Sequence, residues 1–177
     1  MENYEAAAGF TVVLNNGYRF VPTRHGDAIQ YEGLETLDHA LVEAVLCKPG
    51  RLAGGEITYL RLQLDLTQTR LADILDVSAE SISNWERARF EIGSKEDALL
   101  RKHFLEANIK TFRQLNKKLG VGELIRRSRG RHKLVCIGSW NAGWGFIYSP
   151  AVANLKTADG SLLLVAQDHD QDQKKHY

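Results

Sequence analysis

Leu64-Asp65-Leu66-Thr67-Gln68-Thr69-Arg70-Leu71-Ala72-Asp73-Ile74-Leu75-Asp76-Val77-Ser78-Ala79-Glu80-Ser81-Ile82-Ser83-Asn84-Trp85-Glu86 decides how this chain is read. Thr67 and Ser78 are both residues that cap helix N-termini, because a short hydroxyl side chain accepts from an otherwise unpaired backbone N–H. They predict helices over residues 68–75 and from Ala79 to about Arg87. Leu71, Ala72 and Leu75 share one face of the first, and Ile82 and Trp85 share one face of the second. Ala72 is small enough for the helices to cross closely, and Val77 plugs the corner between them. The outer face of the second helix is left with Ala79, Glu80, Ser81, Ser83 and Asn84. Two helices joined by so short a turn, with short polar side chains outside, suit insertion into the major groove of DNA.

The pattern Leu66-Thr67-Gln68, then Leu71-Ala72, then Leu75-x-Val77-Ser78, then Ile82-Ser83-x-Trp85-Glu86 resembles the lambda-repressor/Cro-like, or XRE, family of helix-turn-helix regulators. About a third of the chain is covered. The family has glycine where this chain has Asp76, at a left-handed turn position that aspartate tolerates better than most residues. The resemblance implies double-stranded operator DNA as partner, a homodimer on a two-fold site, and repression by blocking polymerase. It places Thr67 and Gln68 at the start of the first helix of the pair, where Gln68 reaches a phosphate or braces a base contact. Ser78 opens the recognition helix. Ala79, Glu80 and Asn84 fall where base edges are read. Asn84 suits adenine, Glu80 suits cytosine N4, and the Ala79 methyl suits thymine. Ser81 and Ser83 suit phosphates, as do Arg87 and Arg89 just beyond the helix.

Charge is unevenly spread. The net charge is +1, yet residues 95–133 hold twelve Lys and Arg against four Asp and Glu, while residues 51–94 are net −2. The densest block is Arg126-Arg127-Ser128-Arg129-Gly130-Arg131-His132-Lys133. It reads as an exposed connector. Arg126, Arg127, Arg129 and Arg131 are candidates to grip flanking phosphates. An acidic partner, or plain solvation of a linker, would account for the same charges.

The flanks read differently from the centre. Residues 10–21 predict a hairpin, with Asn16-Gly17 as its turn. A short strand follows at 27–31, and then a helix over 34–46 with Leu34, Leu37, Leu41 and Val45 as its stripe. Further helices are expected at 55–64, from Ser94 onward, and at 111–119. Beyond 133 the chain is β-like, with hairpins around Asn141-Ala142-Gly143 and Asp159-Gly160. The expected fold class is therefore α+β. A central all-helical domain (51–120) stands between a small β-rich α+β unit (1–50) and a β-hairpin-rich C-terminal segment (134–167). Residues 121–133 are the connector and 168–177 a polar, disordered tail.

Hydrophobic content of 44% and charged content of 25% are those of a globular protein. No apolar run is long enough for a membrane span and no signal pattern opens the chain, so a cytoplasmic location is expected. Cys47 and Cys136 stand apart and form no C-x-x-C pair, so they are expected to be reduced and packed, with no metal and no cofactor. His169 and His176 lie among acidic residues of the tail and are read as solvated. No nucleophile elbow, phosphate loop or zinc-protease motif is present, so no enzymatic activity is expected. A weaker likeness reaches outward. A β-rich start, Lys48-Pro49-Gly50, and Leu52-Ala53-Gly54-Gly55-Glu56-Ile57 leading into the motif are similar to the antitoxin of the motility-quorum-sensing system. That likeness implies a toxin protein as an alternative partner. The cysteine pairs that hold zinc in that antitoxin are absent here, so zinc is not carried over.

Overall fold

The computed structural model of the chain describes residues 2–6, 10–129, 134–150, 155–156 and 162–163. Strands β1 (Glu2–Ala6), β2 (Phe10–Leu14), β3 (Tyr18–Thr23) and β4 (Gly26–Tyr31) come first. Seven helices follow among the described residues: α1 (Leu34–Cys47), α2 (Gly54–Gln63), α3 (Gln68–Leu75), α4 (Ala79–Glu86), α5 (Ser94–Ala107), α6 (Arg113–Lys118) and α7 (Val121–Ser128). Strands β5 (Leu134–Trp140), β6 (Trp144–Pro150), β7 (Leu155–Lys156) and β8 (Leu162–Leu163) complete the order.

The hairpin expected over 10–21 does not form. β2 pairs antiparallel with β1 and parallel with β5, while β3 pairs with β4. Burial explains the choice. Val12, Val13 and Leu14 are all buried, so both faces of β2 are covered and it needs a central place in a sheet. β3 is half-exposed at best, with Phe20 59% exposed, and cannot serve as its partner there. Asn16 turns the chain by other means. Its side-chain amide donates to the Trp140 carbonyl (3.1 Å) and its Oδ1 accepts from the Trp140 N–H (2.6 Å), copying a strand pair. The resulting four-stranded sheet has the order β1-β2-β5-β6. Strands from before α1 and after α7 thus share one sheet, which local sequence patterns do not announce.

Below the sheet lies α1, which buries Leu37, Leu41, Val42, Val45 and Leu46. Leu34, at its first residue, is instead 56% exposed. The same core continues through Ile57, Tyr59 and Leu60 of α2, Leu71 and Leu75 of α3, Ile82 of α4, and Leu100, Phe104 and Leu105 of α5. The segment expected as an exposed connector after residue 120 begins as α7. Glu123 accepts from Arg126 and Arg127 one turn on, and Leu124 and Ser128 are buried against the core side. Arg131 and the tail 168–177, with His169 and His176, lie outside the described residues. Among the described residues no helix is long and apolar enough to cross a membrane.

Candidate nucleic-acid interface

α3 and α4 begin where their caps place them. Thr67 Oγ1 accepts from Arg70 N–H at 3.1 Å, and Ser78 Oγ accepts from Ser81 N–H at 3.1 Å. Between them Asp76 takes φ 55°, ψ 50°, the left-handed conformation in which α3 can stop. Leu71, Ala72, Leu75 and Ile82 are buried, and Val77 and Trp85 pack against the same core while keeping part of their surface exposed. Gly54, at the first residue of α2, lies directly under the last turn of α4. A Cβ there would stand 2.7 Å from the Trp85 carbonyl oxygen and closer still to that of Glu86.

The end of α4 is fixed by a charged clamp. Arg61 of α2 binds the Glu86 carboxylate through Nε (2.6 Å) and Nη2 (3.2 Å), and its Nη1 donates to the Leu66 carbonyl (2.7 Å). Gln68 Nε2 donates to Glu86 Oε2 at 2.7 Å. One arginine therefore holds both the loop into α3 and the end of α4. Gln68 braces the pair of helices from the start of α3. Both Arg61 and Glu86 are largely shielded from water, which strengthens the bidentate pair.

The opposite face of α4 is open. Ala79 and Glu80 are exposed, and Ser83 and Asn84 are half-exposed. The Glu80 carboxylate and the Asn84 amide have no partner among the described residues. Ser81 is different, because its hydroxyl lies 2.9 Å from that of Ser78 and belongs to the cap. Arg87 and Arg89 are exposed beyond the helix end and form no ion pair among the described residues.

A family model described as helix-turn-helix matches residues 57–95. This segment is a helix-turn-helix. No curated protein and no solved structure gave a match to the chain.

Around this helix-turn-helix the basic residues sort into two groups. Arg126 binds Glu123 through Nε (2.8 Å) and Nη2 (2.7 Å). Arg127 binds the same carboxylate (2.7 Å) and also donates to the Cys47 carbonyl (2.7 Å). These two guanidiniums hold the Glu123 carboxyl down at about 2. Arg129, at the C-cap of α7, is exposed and has no partner among the described residues.

Sequence reading missed the charged cluster that supports the helix-turn-helix from behind. Glu56 Oε2 accepts from Lys48 Nζ (2.6 Å) and from the Ala53 N–H (2.7 Å), and Glu56 Oε1 accepts from Tyr148 (2.7 Å). Beside it Arg101 donates to the carbonyls of Leu46, Lys48 and Gly50, and Asp97 accepts from the Leu52 N–H. Arg101 Nε stands 3.0 Å from Asp97 Oδ2, an ion pair whose N–H is not aligned for a hydrogen bond. All four charged residues are buried. Burial raises the Asp97 carboxyl despite Arg101 and raises the Tyr148 hydroxyl well above its ordinary value, with the Glu56 charge adding to the latter. Only the spacing Ala53-x-x-Glu56, half of a capping box, signals this cluster in the sequence.

Proposed function

We propose that the protein is a sequence-specific DNA-binding transcriptional regulator that acts as a repressor, as a homodimer on a two-fold operator. The open face of α4 carries this reading. It presents a methyl, a carboxylate and an unpaired amide on a helix whose position is fixed by two caps and the Arg61–Glu86–Gln68 clamp. Unpaired polar groups on a rigid helix are what base readout in the major groove requires, since groups already satisfied inside the protein gain nothing from a base edge. Bound across a promoter, such a dimer would exclude polymerase.

Selection of duplexes from a random pool with the full chain tests this. Two half-sites about 34–36 Å apart, one helical turn, are expected for a dimer. Asn84→Ala and Glu80→Ala should relax preference at separate positions, each lost base contact costing about 1–3 kcal/mol against the selected site. No enrichment, or unchanged selectivity in both variants, overturns the reading.

A further inference from the structure

We propose that the DNA footprint extends past the helix-turn-helix onto the end of α7, where Arg129 and Lys95 bind the phosphate backbone flanking the base pairs read by α4. This rests on the DNA-binding reading above.

The argument starts from a shortage of cations. Residues 51–94 are net −2, and several of their cations are committed. Arg61 is held by Glu86, Arg51 binds Glu91 at 3.0 Å, and Arg70 lies 4.0 Å from Asp73. Arg87 and Arg89 form no ion pair among the described residues, and Arg70 is only loosely held, because its pair is exposed and at the 4.0 Å limit. Duplex affinity depends on neutralising several phosphates and releasing their counterions, and these few arginines, even doubled in a dimer, cover only part of a contacted backbone. More positive charge has to come from neighbouring elements that lie beside the recognition helix.

α7 supplies it through its placement. The helix lies along α5 so that its C-terminal end meets the start of α5. Ser128 is buried, and its hydroxyl donates to the Ser94 carbonyl at 3.2 Å. The Arg127 carbonyl accepts from the Gly50 N–H at 2.8 Å, which fixes the same end from the other side. Ser94 follows the short segment that leaves α4, the segment that carries Arg87 and Arg89. Arg129, one residue past Ser128, is therefore brought to the side of Lys95, and both are exposed without partners among the described residues. Glu96 in the same turn of α5 is the opposing charge, and Glu91 is already neutralised by Arg51. Arg126 and Arg127 contribute less, because both are tied to Glu123. Arg87, Arg89, Lys95 and Arg129 are exposed cations that suit a phosphate backbone in charge.

The test measures the affinity of the full chain for the selected operator and for an unrelated duplex over a series of salt concentrations. Arg129→Ala and Lys95→Ala should each weaken binding to both duplexes by the same factor. Each should flatten the log–log salt slope by about 0.9 per lost phosphate contact, or about 1.8 when both subunits of the dimer lose one. Arg129→Lys should restore the slope, and melting temperatures should not move, because both side chains are exposed. A wild-type slope in both alanine variants overturns the proposal and leaves this surface to an acidic protein partner, while the DNA-binding reading stands. Absence of salt-dependent duplex binding by the wild-type chain overturns both.

Discussion

Glu56 is a carboxylate with 4% of its side chain exposed, and three donors reach it. A buried charge is retained where its partners replace the water it has lost. Lys48 supplies the opposite charge, and its ammonium also lies over the Tyr148 ring, 5.1 Å from the centroid. The Ala53 N–H and the Tyr148 hydroxyl complete the set. Cys136 lies in this dry region, and burial together with the Glu56 charge pushes its thiol up to about 12. Burial also raises the Cys47 thiol, with Arg127 partly offsetting it. Only the thiolate is nucleophilic, so a buried thiol held this high reacts far more slowly than a free cysteine at ordinary pH. A thiol-specific chromogenic reagent should therefore find no fast-reacting thiol in the native protein and two after denaturation. Reaction of Cys136 at the rate of a free cysteine in the native state would show that water reaches Glu56, and the account of the cluster would fail.

At the scale of elements, the close approach of α2 to α4 is made by Gly54, whereas the sequence points to Ala72 for the tight contact of the motif. Both are small, but they serve different crossings: Ala72 belongs to α3, and Gly54 lies under the carbonyls of Trp85 and Glu86. Gly54→Ala should lower stability by about 1–3 kcal/mol, the cost of forcing an extra methyl into a packed contact. Denaturant unfolding without DNA measures this, and an unchanged midpoint would mean that the end of α4 is free to move away. Much of the helix-turn-helix was legible because its signals are local. The Thr67 and Ser78 caps, the Asp76 turn and the Leu71–Leu75 face all act within a few residues of themselves. The Asn16-Gly17 pair was just as clear as a turn signal and still misled. Its partner strand was chosen by burial of Val12, Val13 and Leu14 against β5, more than 120 residues away. α7 was hidden for another reason. Its arginine-rich end reads as solvated, and only Glu123 and Leu124, earlier in the helix, show what pins it down.

Across the whole molecule, the terminal sheet and the helices share one core. Tyr148 on β6 bonds Glu56 on α2, Trp144 Nε1 donates to the Glu32 carbonyl (2.7 Å) just before α1, and Trp144 and Cys136 belong to the same buried cluster as Leu71 and Ile82. Elements joined through one core and one buried hydrogen-bond network lose their packing together, which is the physical basis of a single cooperative transition. The three tryptophans allow a direct test, because Trp140 and Trp144 lie in the sheet and Trp85 in α4. In a Trp85→Phe background, fluorescence reports on the sheet alone while the far-ultraviolet helix signal reports on α1 to α7. The two signals should give one midpoint in urea. Tyr148→Phe, which leaves Glu56 Oε1 buried without its donor, should then lower both midpoints together by the equivalent of about 1–3 kcal/mol. A sheet that unfolds before the helices, or a Tyr148→Phe variant that shifts only the fluorescence midpoint, would mean that the helix-turn-helix stands independently of the two chain ends. Coincident shifts would mean that anything loosening the sheet also loosens the support of the recognition helix, since Glu56 opens α2 and α2 holds Glu86 through Arg61.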